Sequence, residues 1–167
     1  ILHVTMPRGL GWCFSSIGKN IERCLQTIAM TQSYYKPIDY NLDGEEDLLY
    51  WRRLLLSLSG YEQYLKSYSN ISHNRKIAQH VVFNKDFSHS VMYTLELIDK
   101  YLANLSLDHT SHEARTLQNQ FGRLKSMVKY TDYYNLTNQQ LEDVLNDTQS
   151  QLIQFSSDFS KLFFSYT

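Results

Sequence analysis

Residues 141–166, LEDVLNDTQSQLIQFSSDFSKLFFSY, carry the clearest helical pattern in the chain. At about 100° per residue, one set of mostly apolar side chains in this stretch falls within roughly 100° of arc. The set consists of Leu141, Val144, Leu145, Thr148, Leu152, Phe155, Phe159, Leu162, Phe163 and Tyr166. Charged residues such as Asp143, Asp147 and Lys161 occupy the opposite side. The stretch therefore predicts a long amphipathic helix with one face in a core.

The same period recurs through the rest of the chain. It predicts further helices near residues 10–34, 48–58, 61–68, 74–83, 88–105 and 113–128. The chain has 167 residues with only six glycines and two prolines, and so few breakers argue against a turn-rich β-sandwich or barrel. We expect an all-α fold, a bundle of six to seven amphipathic helices forming a single helical domain over residues 1–167.

Turn and capping signals give the expected helix ends. Pro37 ends the first helix, and the spacing of Asp43 and Glu46 resembles a capping box for the second. Residues 70–74 are polar and predict a break, and Ser88 is expected to cap the helix that follows. Thr110 with Glu113, and Thr137 with Gln140, have capping-box spacing before the last two helices.

Charge and hydropathy limit the classes of partner. Sixteen basic and 17 acidic residues give a net charge of −1, which disfavours nucleic-acid binding. No apolar run is long enough for a membrane span. Cys13 and Cys24 lie too far apart on one helix for a disulfide, so a cytoplasmic location is expected. The chain begins with Ile1, so it is interpreted as a fragment of a longer protein.

Motifs for catalysis or cofactors are missing. The sequence has no Gly-x-Ser-x-Gly, no Cys-x-x-Cys and no phosphate-binding loop. His109 and His112 lack the further ligands that zinc needs, and His80 and His89 are interpreted as surface or capping residues. We therefore predict no metal and no cofactor, and the sequence names no catalytic residue.

One line of residues on the first helix is unusual. Gly11, Gly18, Glu22 and Ala29 follow one another about 100–140° around the helix from Ile17. Small residues allow another backbone to approach, so a neighbouring helix is expected to crowd Glu22. A carboxylate there has to be exposed at a groove or paired with a cation.

The partners considered for Glu22 and Arg23 are Arg52, Arg53, Arg123 and Glu96. A salt bridge between packed helices is one interpretation of the Glu-Arg dipeptide. The other is a binding groove formed by Gly18, Lys19, Glu22 and Arg23.

The run MPRGLGWCFSSIGKNIERCLQTI, Met6–Ile28, resembles the signature of the bacterial alpha-E family of uncharacterised all-helical proteins. The matching positions are Gly11, Trp12, Phe14, Ile17, Gly18, Lys19, Ile21, Glu22 and Arg23. Cys24 stands where the family usually has alanine. Residues 51–68 and 81–98 are similar to the family's next segments, although Ser88 and His89 replace a usual Pro-Arg pair.

The resemblance implies a longer protein of which this chain is the carboxyl-terminal part, preceded by a half with its own Glu-Arg helix. It also implies a genomic setting beside circularly permuted ATP-grasp ligases and transglutaminase-like proteins. No reaction is implied for the family itself.

We therefore predict a non-catalytic helical partner of an ATP-grasp-type peptide or amide ligase system, with the ligase or a transglutaminase-like protein as its partner. The alternatives are an enzyme with a polar groove centred on Glu22, and a homo-oligomeric helical scaffold.

Overall fold

The computed structural model describes residues 9–68, 71–108 and 112–165. This part of the chain contains seven α-helices. They are α1 (Leu10–Tyr35), α2 (Leu48–Ser57), α3 (Tyr61–Ser67), α4 (His73–Ala78), α5 (Val91–Asp108), α6 (His112–Lys129) and α7 (Asn138–Ser165). A 3₁₀ turn, Lys36–Ile38, follows α1, and a π-helical turn, Gln79–Phe83, continues α4. The all-α prediction is confirmed.

Four long helices form the main bundle. The first helix, α1, packs against both α5 and α7, and α6 packs between those two on the far side. Phe14 meets Phe159 with ring centroids 5.1 Å apart, and Gln32 donates to Asn146 at 2.9 Å. Because low numbers on α1 meet high numbers on α7, the two helices run antiparallel.

The buried face of each long helix follows the apolar stripe in its sequence. Ile17 and Ile28 of α1, Phe121 of α6 and Leu152 and Phe155 of α7 are completely buried. The short helices α2, α3 and α4 add Trp51, Tyr64 and Ile77, respectively, to the same core. Burying a large apolar side chain contributes roughly 1.5–3 kcal/mol, so these stripes account for the bundle.

Helix ends match the sequence signals only in part. Thr137 and Gln140 form the predicted capping box, because the Gln140 amide N–H donates to Thr137 Oγ1 at 3.1 Å and the Thr137 N–H donates to Gln140 Oε1 at 2.9 Å. The cap of α2 is Asp47, whose Oδ1 accepts from the Tyr50 N–H at 3.1 Å, so the prediction of Asp43 was wrong.

The start of α5 also differs from the prediction. Ser90, not Ser88, caps this helix, because its Oγ accepts from the Tyr93 N–H at 3.0 Å while donating to the Asn84 carbonyl at 2.6 Å. The turn before α5 is two residues longer than the pattern indicated. The predicted Thr110 cap lies outside the described residues.

None of the described helices combines the length and the apolar composition needed to cross a membrane.

Candidate functional site

The four residues predicted as a binding groove lie on the solvent side of α1. Gly18, Lys19, Glu22 and Arg23 are all exposed. Ile17, beside them in sequence, is completely buried. A methyl group added at Gly18 would meet no atom of another segment within 4 Å. The expectation that a neighbouring helix crowds this line is therefore wrong for the described residues, because α5 and α7 flank α1 and leave its opposite side open.

Glu22 and Arg23 form no salt bridge with any described residue. The salt bridges of this part of the chain link Arg75 with Asp43, Lys125 with Glu96 and Asp99, and Lys129 with Glu96. Of the partners considered for the Glu-Arg pair, Glu96 is engaged by α6, and Arg52 lies over the ring of Tyr61 at 5.8 Å. Within the described ranges the helix-packing salt bridge is thus not formed, and Glu22 is exposed, as the alternative interpretation expected.

Arg23 lies beside the segment that precedes α5. Thr27, one turn after Arg23, donates from Oγ1 to the His89 carbonyl at 3.2 Å. Burial lowers the pKa of His89 below its usual value, and the positive charge of Arg23 lowers it further. Its Nδ1 atom is buried without a hydrogen-bond partner among the described residues. His89 is therefore neutral near pH 7 and does not form an ion pair with Arg23.

His80 is completely buried, so its interpretation as a surface residue was wrong. The ring stacks on Phe87, with centroids 4.4 Å apart and planes 13° apart. Burial lowers its pKa to about 4, and the Gly60 backbone opposes this in part. Its Nε2 atom is buried without a hydrogen-bond partner among the described residues. His80 is a core residue and lies away from the exposed face of α1.

A shallow groove of about 350 Å³ runs beside Gly18, between α1 and α7. Small residues line both sides, Ser15 and Gly18 on α1 and Ser156 and Ser160 on α7. Phe14, Ile21 and Phe159 also line it. Sequence reasoning placed Gly18 here from the line of small residues on α1, but Lys19, Glu22 and Arg23, which it assigned to the same groove, do not line this one. It missed the α7 wall, because no local signal indicates which helix lies alongside.

Sequence reasoning also missed a cavity of about 850 Å³, lined by residues 42–48, 71–73 and 75. Three of its four carboxylates already have partners in the fold. Asp43 pairs with Arg75 at 3.0 Å, Glu46 accepts from Asn74 at 2.9 Å, and Asp47 caps α2. The DGEED run at 43–47 is therefore used mainly to build the loop. Within the described ranges, no three His, Cys, Asp or Glu residues are grouped to hold a metal ion.

A buried polar network lies behind this cavity. Asn74, completely buried, accepts from Trp51 Nε1 at 3.0 Å and donates to the Asn41 carbonyl at 2.8 Å and to Glu46. Its backbone carbonyl accepts from Tyr35 OH at 2.6 Å. Asn74 is therefore a structural centre in the first turn of α4, which begins at His73, one residue before the helix predicted over residues 74–83.

Comparison with protein families identifies the chain. Residues 1–164 match the model of Alpha-E, described as a predicted alpha-helical domain with a conserved ER motif. The chain belongs to the Alpha-E family. Comparisons with curated proteins and with solved structures gave no match. The sequence contains a single Glu-Arg dipeptide, Glu22–Arg23, which is therefore the ER motif of this Alpha-E protein.

The family motif thus coincides with the open face of α1. Both of its side chains point away from the core and have no ion-pair partner in the described fold. Packing within this domain does not explain why a family would retain them. Retained polar residues that are exposed are typical of binding or catalysis.

Proposed function

We propose that this Alpha-E protein is a non-catalytic binding module, and that the exposed face of α1 docks onto an enzyme of an ATP-grasp-type peptide or amide ligase system. The observation that carries the proposal is that the family's ER motif is exposed, with no ion-pair partner among the described residues, on a helix whose other side is core. A motif retained for the stability of this domain would be expected to find its partners inside it.

The choice of partner follows from the genomic setting that the family resemblance implies. A ligase of the ATP-grasp type has to receive its peptide or amine substrate, and a helical module can present that substrate or position the enzyme. A transglutaminase-like protein is the second partner of the same setting. This association supports the proposal without supplying a mechanism.

A catalytic role for Glu22 fits the geometry less well. A general base needs a pocket that positions substrate and limits water, with the base within hydrogen-bond reach of the proton it removes. Glu22 is exposed on α1, and the nearby groove is lined by glycine, serine, isoleucine and phenylalanine. This environment favours contact with another protein over chemistry on a small molecule.

The test is a direct binding measurement between the full-length protein and the neighbouring ATP-grasp-type ligase by isothermal titration calorimetry. We expect Glu22→Gln and Arg23→Gln each to weaken binding about tenfold, a change of about 1.4 kcal/mol. The matched controls are Glu62→Gln and Arg53→Gln, which change the same residue types at exposed positions of α3 and α2. Their affinities should stay within about twofold of the unaltered protein.

Two results would contradict the proposal. One is an absence of binding heat with both the ligase and the transglutaminase-like protein at high micromolar concentration. The other is binding that the α1 variants and the control variants change equally, which would place the contact elsewhere on the molecule.

A further inference from the structure

Two cations stand side by side on the open face of α1. Lys19 and Arg23 are four residues apart, so their side chains lie one above the other, about 40° apart around the helix. Like charges in this arrangement destabilise a helix. Neither side chain forms a salt bridge with a described residue, and Glu22, three residues from Lys19, does not pair with it.

The segments packed on this side of α1 do not neutralise the pair. Residues 88–90 pass beside Arg23 and Thr27 and contain two serines and a histidine, none of them anionic. Glu96 and Asp99 of α5 are turned the other way, since both contact Lys125 of α6, Asp99 at 2.7 Å. The positive charge of Lys19 and Arg23 therefore faces solvent.

An exposed aromatic ring extends the same strip. Trp12 is 61% exposed, and at 100° per residue it lies between Lys19 and Arg23 in direction, two turns nearer the amino end. Its ring is held edge-on against Tyr101 of α5, with centroids 5.2 Å apart and planes at 88°. Tryptophan and arginine are the residue types most enriched at the energetic centres of protein interfaces.

We infer that the strip formed by Trp12, Lys19 and Arg23 binds an acidic peptide segment of the partner, with a carboxylate seated between Lys19 and Arg23 and an apolar side chain on Trp12. The inference rests on the proposed docking of α1 and adds the chemistry of the partner's surface. Glu22 lies at the edge of the strip, about 60° from Lys19, and would contact a separate donor of the partner.

The first experiment tests whether the ligase surface that contacts Arg23 is negatively charged. Arg23→Lys keeps the charge, Arg23→Gln removes it and Arg23→Glu reverses it. We expect affinity to fall in that order, with Arg23→Glu about tenfold weaker than Arg23→Gln. Binding should also weaken as the salt concentration rises from about 50 to about 300 mM. Arg53→Glu on α2 makes the same change in net charge and should alter affinity less than about threefold.

A different pattern would overturn the inference while leaving the docking function intact. If the ligase binds and Arg23→Gln weakens it, but Arg23→Glu is no worse and salt has no effect, the partner surface is not acidic.

A second experiment tests the strip without the ligase. A synthetic peptide of alternating glutamate and leucine is titrated into the ¹⁵N-labelled full-length protein and followed by NMR. We expect shift changes concentrated on the Trp12 indole and on the amides of Lys19 and Arg23, lost in the Lys19→Glu variant. Shifts centred on Arg52 and Arg53, or none at millimolar peptide, would refute the assignment. Tighter binding of a single-stranded oligonucleotide at the strip would also refute it.

Discussion

Two polar regions of this Alpha-E protein differ in whether their polar side chains have partners within the described fold. Around Asn74, every polar atom of the buried amide finds a partner in Trp51, Asn41 or Glu46. On the open face of α1, Glu22 and Arg23 are charged and exposed, and no described residue pairs with them. The first region is complete within the described fold, whereas the second is left for solvent or another molecule.

The contrast distinguishes polar residues that stabilise the fold from polar residues that are available for binding. Buried polar groups are retained because leaving one without its partner costs about 1–3 kcal/mol. Exposed charges contribute little to stability, so a family motif made of exposed charges needs another explanation. If this assignment is correct, substitutions at Asn74 should damage folding, and substitutions in the ER motif should damage binding alone.

The largest expected effect comes from breaking the buried network. Asn74→Ala would leave Trp51 Nε1 without its acceptor inside the core and release the loop that carries Glu46. We expect the free energy of unfolding to fall by about 3 kcal/mol. Urea unfolding followed by circular dichroism measures this loss. Asn104→Ala, at an exposed position of α5, is the control and should stay within about 0.5 kcal/mol.

A loss below about 1 kcal/mol for Asn74→Ala would show that water or rearranged side chains replace the network. The structural half of the comparison would then be incorrect.

The sequence predicted those features of the fold that depend on neighbouring residues. The stripe on α7 and the Thr137–Gln140 box are local, so the period and the spacing sufficed for them. Residues 70–74 were interpreted as a break because their composition is polar. Asn74 is buried because Tyr35, Trp51 and Glu46 surround it, and these partners are 23–39 residues away.

The candidate site likewise has one part that local sequence predicts and one part that depends on distant helices. The face of α1 that holds Gly18, Glu22 and Arg23 follows from helical arithmetic and from the family motif. Whether a neighbour covers that face depends on how α5 and α7 are arranged around α1, which no local pattern encodes. The α7 wall of the groove beside Gly18, with Ser156 and Ser160, is a consequence of that arrangement.

A second large effect should appear when the pH is lowered, because His80 is a buried polar group whose partners are incomplete. Its pKa is about 4 in the fold against 6.5 unfolded. The unfolded chain therefore takes up a proton below pH 6.5 while the fold does not. Stability is complete above pH 6.5 and is lost between pH 6.5 and about 4, by about 3 kcal/mol from this residue.

Unfolding free energies measured from pH 7 to pH 4 test this prediction. The slope should exceed that of one proton, since burial also lowers the pKa of His73 and His89. In His80→Gln the slope should decrease by about one proton, whatever the absolute stability of the variant. An unchanged slope would mean that His80 is protonated within the fold at little cost.

Two glycines sharpen the comparison between the closed and the open side. A methyl group at Gly60 would stand 2.6 Å from Phe87 Cζ, whereas one at Gly18 would meet nothing within 4 Å. We expect Gly60→Ala to destabilise the fold by about 2 kcal/mol through overpacking. Gly18→Ala should stabilise it by about 0.5–1 kcal/mol, because alanine favours the helix. Thermal unfolding of the two variants in one buffer measures both signs.

A destabilised Gly18→Ala variant would indicate that something covers this face in the free protein. It would also remove the basis for treating α1 as open.

The smallest expected effect on stability lies at the ER motif itself. Because Glu22 and Arg23 are exposed and form no described ion pair, Glu22→Gln and Arg23→Gln should each change the free energy of unfolding by less than about 0.5 kcal/mol. The same preparations should lose affinity for the ligase, so one sample separates folding from binding. Removing Arg23 should slightly raise stability at low salt, since it relieves repulsion with Lys19 four residues away. If Arg23→Gln instead unfolds the protein as readily as Asn74→Ala does, the motif is structural and the contrast between the two regions is lost.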